Sequence, residues 1–398
     1  MADLTPSSPP SSPPPGPSQG FLRRHGGKLV ASLIITAGLV YTLRKSGLPL
    51  LPAVSCFEHV KWWTIPCYLA TYIAASYFRA TRWRFLLRSF ADISRRRILA
   101  VSWIGFAAIM LMPFRIGEVV RPYMIRAPGR EEGGKIVGRV SATTATGTVL
   151  AERIVDGLYL SAVLAVALVV VPMLAPTPTH VVGLPLTIPQ VRGYGYTTLG
   201  VFVVAFTTIA VFYFARNFAR HATHAVFGLV SKKLGEKLAN MASKLADGLH
   251  FLGNKRDSVP FLIETSLYWG LNAVGMWLLA WGCGVVHPDG SGVTFGESCA
   301  LMGMLGVTIL IPGPPGLVGI FQTGIYCGLS MYFTASVVTN EGAAFTFLLF
   351  VLQFAWQVVG AGIFLVGDRS ALRAFEEAEG MIPPPPPPPS TESENLAT

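Results

Sequence analysis

The chain has 398 residues, of which 52% are hydrophobic and only 13% charged, with a formal net charge of +10. Soluble globular domains carry about 25% charged residues, so this composition excludes an ordinary water-soluble fold. The basic residues flank long apolar blocks instead of forming a stripe on a folded module, which excludes nucleic acid as a partner.

Taken in chain order, residues 1–22 are rich in Pro and Ser and read as a disordered tail. The first apolar block, 30–43, is followed by Arg44 and Lys45 without a small-residue cleavage site, so it is expected to be a retained span and not a cleaved signal. Further apolar blocks run over 62–77, 157–174, 197–215, 260–281, 293–311 and 343–366. Most approach the roughly 20 residues that a helix needs to cross hydrocarbon.

Cations sort these blocks by side. Arg23, Arg24, His25 and Lys28 precede the first block. Arg79, Arg82, Arg84, Arg88, Arg95, Arg96 and Arg97 follow the second, and 216–256 is rich in Lys and Arg. These stretches are expected in the cytoplasm, whereas 171–196, with only Arg192, and 285–292, with no Lys or Arg, are expected outside. Two apolar stretches must then enter and leave on one side. Residues 98–112 turn back near Pro113, and 293–332 turn at the run from Pro312 through Pro315 and Gly316.

The predicted fold is therefore an all-α integral membrane bundle of about six spans plus two re-entrant hairpins. The halves 23–175 and 176–368 have opposite orientation and form an inverted repeat, as in many transporters. The mixed apolar and basic segment 216–256 predicts an amphipathic helix or pair on the cytoplasmic surface. Residues 369–398 read as a short charged stretch and a poly-Pro tail. Both termini are expected in the cytoplasm, with the protein multi-pass in the cell (inner or plasma) membrane.

Candidate chemistry lies where charge or chain-breaking residues interrupt apolar sequence. Around Pro113 and Gly117, Arg115, Glu118 and Arg121 recur every three residues and share a helix face, where Glu118 can pair with Arg121. Two arginines around one glutamate leave positive charge over, which suits phosphate. Further on, Glu152 and Asp156 lie four apart on one face with Arg153 beside them. Charged groups at membrane depth normally point into a bundle interior or a wet cavity. These six residues form the candidate site for a lipid head group or an ion, although mutual neutralisation that locks helices together would use the same residues. The second turn, with Pro312, Pro315, Gly316, Gly319 and Gln322, offers bare backbone and a polar amide but no charge. Glu297 opens the second hairpin as a cap or a lining residue, and Arg79, Arg82 and Arg84 read as topology signals.

The five cysteines, Cys56, Cys67, Cys283, Cys299 and Cys327, form no C-x-x-C pair and no Cys/His cluster, so no metal, disulfide framework or cofactor is implied. No Ser-His-Asp, P-loop, HExxH or Rossmann pattern occurs, and no enzymatic activity is expected.

Three motifs, Pro113-Phe114-Arg115-Ile116-Gly117-Glu118-Val119-Val120-Arg121, Glu152-Arg153-Ile154-Val155-Asp156-Gly157 and Pro315-Gly316-Leu317-Val318-Gly319-Ile320-Phe321, come in order along the chain. They resemble the signatures of the lysylphosphatidylglycerol synthase transmembrane region family of flippase-like membrane proteins, over roughly residues 26–368. The resemblance implies translocation of a lipid between leaflets, the substrate being an anionic phospholipid or a polyprenyl-phosphate-type lipid. Only a short charged stretch and the proline run follow residue 368, so aminoacyl transfer is not expected. A rival reading is a non-transporting accessory subunit of a membrane glycosyltransferase or lipid-modifying system, which would engage a protein partner through the Pro-rich tails or the basic segment. A membrane-embedded transferase acting on a polyprenyl phosphate would use Glu152 and Asp156, but no donor-binding motif accompanies them. Oligomeric state is not encoded in any of these features.

Overall fold

The computed structural model describes residues 37–38, 41, 48–112, 118–126, 130–132, 135–137, 140–214, 254–310 and 315–367. Most of the expected first span, both tails, most of the basic segment 216–256, and Pro113, Arg115, Gly117 and Pro312 lie outside the described residues.

Helices dominate. They are α1 (Thr64–Thr81), α2 (Trp83–Leu87), α3 (Arg95–Leu111), α4 (Val120–Met124), α5 (Ala142–Val170) and α6 (Ile188–Phe214). Then follow α7 (Lys255–Gly282), α8 (Phe295–Thr308), α9 (Ile320–Tyr332), α10 (Ala335–Thr339) and α11 (Glu341–Gly367). A short antiparallel hairpin, β1 (Arg130–Glu132) with β2 (Lys135–Val137), is the exception to the helical architecture among the described residues.

Polar caps set the helix starts where apolar periodicity is silent. Ser94 accepts from Arg97 N at the head of α3, Ser141 from Thr144 N at α5, and Asn254 from Arg256 N at α7. Thr294 and Glu297 form a reciprocal capping box at α8, so Glu297 is a cap. Before α9 the chain turns through Gly316 (φ 72°) and Gly319 (φ 88°), conformations that side chains disfavour. The Gln322 side chain closes this turn by accepting from Gly319 N at 2.7 Å.

Long apolar faces remain bare on the outside, including Val166, Val170, Val204 and Ile363. Such a surface suits lipid and not water. Among the described residues, α5 and the stretch Ala335–Val366 are long and apolar enough to cross a membrane by length and composition.

α1 and α7 run antiparallel in close contact. Lys61 N donates to Gly282 O at 2.7 Å at one end, and Thr81 Oγ1 donates to Glu264 Oε2 at 2.6 Å at the other. α3 packs on α11, with Trp103 edge-on to Trp356 at 5.7 Å, and α8 packs on α5, with Gly303 and Gly306 against Leu164 and Leu160.

Both ends of each hairpin lie together. Arg97 Nη2 at the start of α3 donates to Arg126 O, just past α4, at 2.7 Å. Gly296 at the head of α8 touches Val171, while Leu174 N donates to Met331 O near the end of α9 at 3.0 Å.

Candidate functional site

The centre of the bundle holds a buried ionic cluster. Arg82, at the junction of α1 and α2, donates through Nη1 and Nη2 to Oδ1 and Oδ2 of Asp156, each at 2.7 Å. The same Nη2 reaches Glu152 Oε1 at 3.0 Å, and Nη1 reaches Thr265 Oγ1 on α7 at 3.2 Å. Arg121, on α4, donates to the other Glu152 oxygen at 3.3 Å, and Arg153 lies 3.2 Å from Glu152 and 3.7 Å from Asp156. Trp269 Nε1 completes the shell of Asp156 at 3.2 Å.

Arg82, Arg121 and Glu152 are all 0% exposed, which corrects the reading of Arg82 as a surface topology signal. In sequence it is one more arginine in a basic run. In space the helix carries it onto the α1 face that also holds Tyr68, Tyr72 and Arg79, and so under α5. Arg121 turns from its own segment to Glu152 on α5, and its guanidinium stands over the Trp83 and Phe106 rings at 4.3 and 4.9 Å. Gly105 makes room for it, since a Cβ there would overlap the Arg121 side chain. Arg153, expected about 100° away from its acidic neighbours, is long enough to reach both carboxylates.

A cavity of about 420 Å³ adjoins the cluster. The tips of α3 (Ile109, Met110) and α8 (Val307) both reach it, as does Leu317 within the second turn. Arg79, Glu118, Arg153 and Asp156 form its charged wall, and Tyr72, Asn272 and Gln353 contribute neutral polar groups. Elsewhere the lining is mostly apolar, with Leu160, Phe202, Met302, Leu305 and Phe321, and Ser161 and Thr198 add hydroxyls that donate to backbone carbonyls of their own helices. Arg79, Arg82, Arg121 and Arg153 together face Glu118, Glu152 and Asp156, so cation is in excess around the cavity. Arg82 and Arg121 sit behind the wall and act on a ligand only through the residues they hold.

Of the sequence-predicted site residues, Arg121, Glu152, Arg153 and Asp156 come together, and Glu118 stands at the cavity. Gly316, Gly319 and Gln322 form the second turn near its far wall, where Gln322 is spent as a cap. Among the described residues, no group of three or more His, Cys, Asp or Glu side chains could hold a metal ion.

Residues 29–362 match the family model described as Lysylphosphatidylglycerol synthase TM region, a stretch that holds the ionic cluster, the cavity and every packed helix but the last turn of α11. No curated protein and no solved structure matches the chain. The chain belongs to the lysylphosphatidylglycerol synthase TM region family, a membrane family named for a lipid synthase.

Proposed function

We propose that this protein is flippase-like, binding an anionic phospholipid or polyprenyl-phosphate-type lipid and moving it across the cytoplasmic membrane. One observation carries the reading: a cavity whose charged wall of Arg79, Arg153, Glu118 and Asp156 is backed by Arg82 and Arg121 against Glu152, with mostly hydrocarbon-like side chains elsewhere, lies where the tips of α3 and α8 converge. Such a space matches an amphiphile, whose phosphate is stabilised by guanidinium groups and whose chains need apolar surroundings. Charge at membrane depth is expensive unless paired or functional. Here Glu152 and Asp156 lower that cost while leaving positive charge over.

The packing supports an inverted repeat of two halves. α3 on α11 has its counterpart in α8 on α5, α4 on α5 in α9 on α11, and α1 on α3 in α7 on α8. The antiparallel pair of α1 and α7 is then the element at the pseudo-two-fold axis. With both ends of each hairpin on one side, the α3–α4 segment enters from the cytoplasm and the α8–α9 segment from outside. Trp62 and Trp63 are exposed at the outer end, where Lys61 Nζ lies 3.4 Å from the Trp281 ring, an aromatic belt at the interface. Movement is passive or ion-coupled in this reading, and no catalytic step is assigned.

Lipid scrambling in reconstituted vesicles tests it. Wild-type protein is expected to expose a labelled anionic lipid to an external quencher, and Arg121→Ala, Glu152→Ala and Arg153→Gln are expected to slow exposure. Unchanged rates in all three would remove the site assignment, and no scrambling by well-folded wild-type protein would remove the transport reading.

A further inference from the structure

We infer that the lipid's head group is a phosphodiester bearing a neutral polyol, and that Arg79 is the guanidinium that receives its phosphate. The inference rests on the lipid reading above and narrows it.

The cluster's cations differ in how far they are already committed. Both terminal nitrogens of Arg82 are engaged by Asp156, while Arg121 and Arg153 share Glu152. Arg79 also lines the cavity, but among the described residues no carboxylate pairs with it. It is held instead by two rings, with its guanidinium carbon 4.0 Å from the Phe106 centroid and 5.7 Å from that of Tyr268. Ring faces orient an arginine while leaving its N–H groups unspent. An anion entering the cavity therefore finds Arg79 as its least committed partner, with Arg153, 20% exposed, beside it.

The acidic groups are in the opposite condition. Asp156 accepts from Arg82 twice and from Trp269, Glu152 accepts from Arg82, Arg121 and Arg153, and Glu118 is not without a partner either. A cationic head group would meet guanidinium charge with no uncommitted carboxylate to balance it.

Neutral hydrogen-bonding capacity is what the cavity has left. Tyr72 Oη accepts from Gln357 Nε2 at 2.9 Å, and its own proton remains to be given. Asn272 spends Nδ2 on Tyr268 O at 2.8 Å, which leaves its carbonyl oxygen to accept. Gln353 adds an amide with both donor and acceptor. A donor left over and an acceptor left over on one cavity wall match a hydroxyl, which does both. An ammonium, which only donates, would leave Tyr72 unanswered.

The spacing fits one molecule. Tyr72 and Arg79 lie two turns apart on one face of α1, about 10 Å along the axis. The antiparallel α7, whose Thr265 and Gly275 sit opposite Arg82 and Thr71, places Asn272 between those two levels. A phosphate at Arg79 with hydroxyls extending toward Asn272 and Tyr72 spans that distance.

Native mass spectrometry of the detergent-purified full chain tests this without requiring transport. The probes are dioleoylphosphatidylglycerol, dioleoylphosphatidic acid, dioleoylphosphatidylethanolamine and a polyprenyl phosphohexose, in competition. We expect at least one polyol lipid to be preferred about tenfold over both the phosphatidic acid and the ethanolamine lipid, about 1.4 kcal/mol. Whichever polyol lipid wins names the tail. Tyr72→Phe is expected to erase that preference without weakening phosphatidic acid. Arg79→Gln is expected to weaken the polyol lipid and phosphatidic acid alike, with Arg79→Lys restoring part of both. The inference is overturned if ethanolamine lipid competes equally, if Tyr72→Phe lowers phosphatidic acid as much as the polyol lipid, or if both Arg79 variants bind like wild type. Selective binding without scrambling would remove translocation and leave the head-group assignment standing. Scrambling without head-group selectivity would do the reverse.

Discussion

Arg82 and Asp156 meet through two hydrogen bonds of 2.7 Å each, tying the end of α1 to the middle of α5 with the guanidinium wholly out of solvent. An arginine–carboxylate pair of this form fixes orientation as well as distance. It sets the angle at which α1 meets α5, and through Thr265 it also engages α7. The cavity wall is built on that junction, since Asp156 and its neighbour Arg153 face the cavity while Arg82 holds Asp156 from behind.

Removing Arg82 would leave Asp156 buried with only Trp269 and the more distant Arg153. Losing one partner of a buried pair costs about 3–5 kcal/mol. Arg82→Gln is therefore expected to lower the thermal unfolding midpoint of the purified protein sharply. Arg84→Gln, which alters a partly exposed neighbour, is expected to stay within about 0.5 kcal/mol of wild type. Equal midpoints for the two variants would refute the structural role given to Arg82.

Glycine positions give a second contrast. A Cβ at Gly105 would collide with the Arg121 side chain, whereas one at Gly270 on α7 would meet nothing within 4 Å. Overpacking a filled interior costs about 1–3 kcal/mol, while Gly→Ala at an open helical site gains up to about 1 kcal/mol. Gly105→Ala should lower the midpoint and slow scrambling, because Arg121 is pushed from Glu152. Gly270→Ala should raise the midpoint or leave it alone. Opposite signs in a melting experiment decide the point.

The sequence exposes some of this plainly and hides the rest for physical reasons. α5, α7 and α11 follow from apolar runs whose length suits a bilayer, and Glu152, Arg153 and Asp156 stand out because charge is scarce there. Arg82 is masked by Arg79, Arg84 and Arg88, a set that fits a cytoplasmic flank equally well. What separates it is helical phase. Arg79 and Arg82 continue the face of Tyr68, Tyr72 and Ser76, the polar seam of an otherwise apolar helix, while Arg84 lies off that seam. The partnership of Arg121 with Glu152 joins residues 31 positions apart, beyond the reach of any helical spacing rule. Tyr72, Asn272 and Gln353 carry no charge and look like ordinary span residues until three helices bring them to one cavity.

The foot of the second hairpin supplies a third prediction. Glu297 receives Thr294 N at 2.7 Å and stands 3.0 Å from His287 Nε2, while His287 stacks on Phe333 at 4.7 Å. One carboxylate thus helps hold both feet of the α8–α9 hairpin. Glutamine can still reach back to the cap position, so Glu297→Gln loses only the charge opposite His287, whereas Glu297→Ala loses the cap as well, at about 0.5–2 kcal/mol. Hydrogen exchange at residues 294–298 should quicken modestly in the first variant and strongly in the second. Identical exchange in both would mean that the capping box contributes nothing there.

The proposed orientation makes the last prediction. Ser291 precedes α8 and Ser336 follows α9, and both are exposed. The contacts of Gly296 with Val171 and of Met331 with Leu174 put these positions at one end of the bundle. Asp92 and Arg256 are exposed at the other end, where Arg88 pairs with Asp257 at 3.4 Å. In a cysteine-free background, Ser291→Cys and Ser336→Cys should react with a membrane-impermeant maleimide added to intact cells. Asp92→Cys and Arg256→Cys should react only after permeabilisation. The positions on either side of α8–α9 must behave alike, because a segment that enters and returns leaves both ends on one face, whereas one that crosses separates them. Labelling of Ser291→Cys and Ser336→Cys from opposite sides would overturn the re-entrant assignment. Reaction of all four from outside would overturn the membrane orientation while leaving the packing of the bundle untouched.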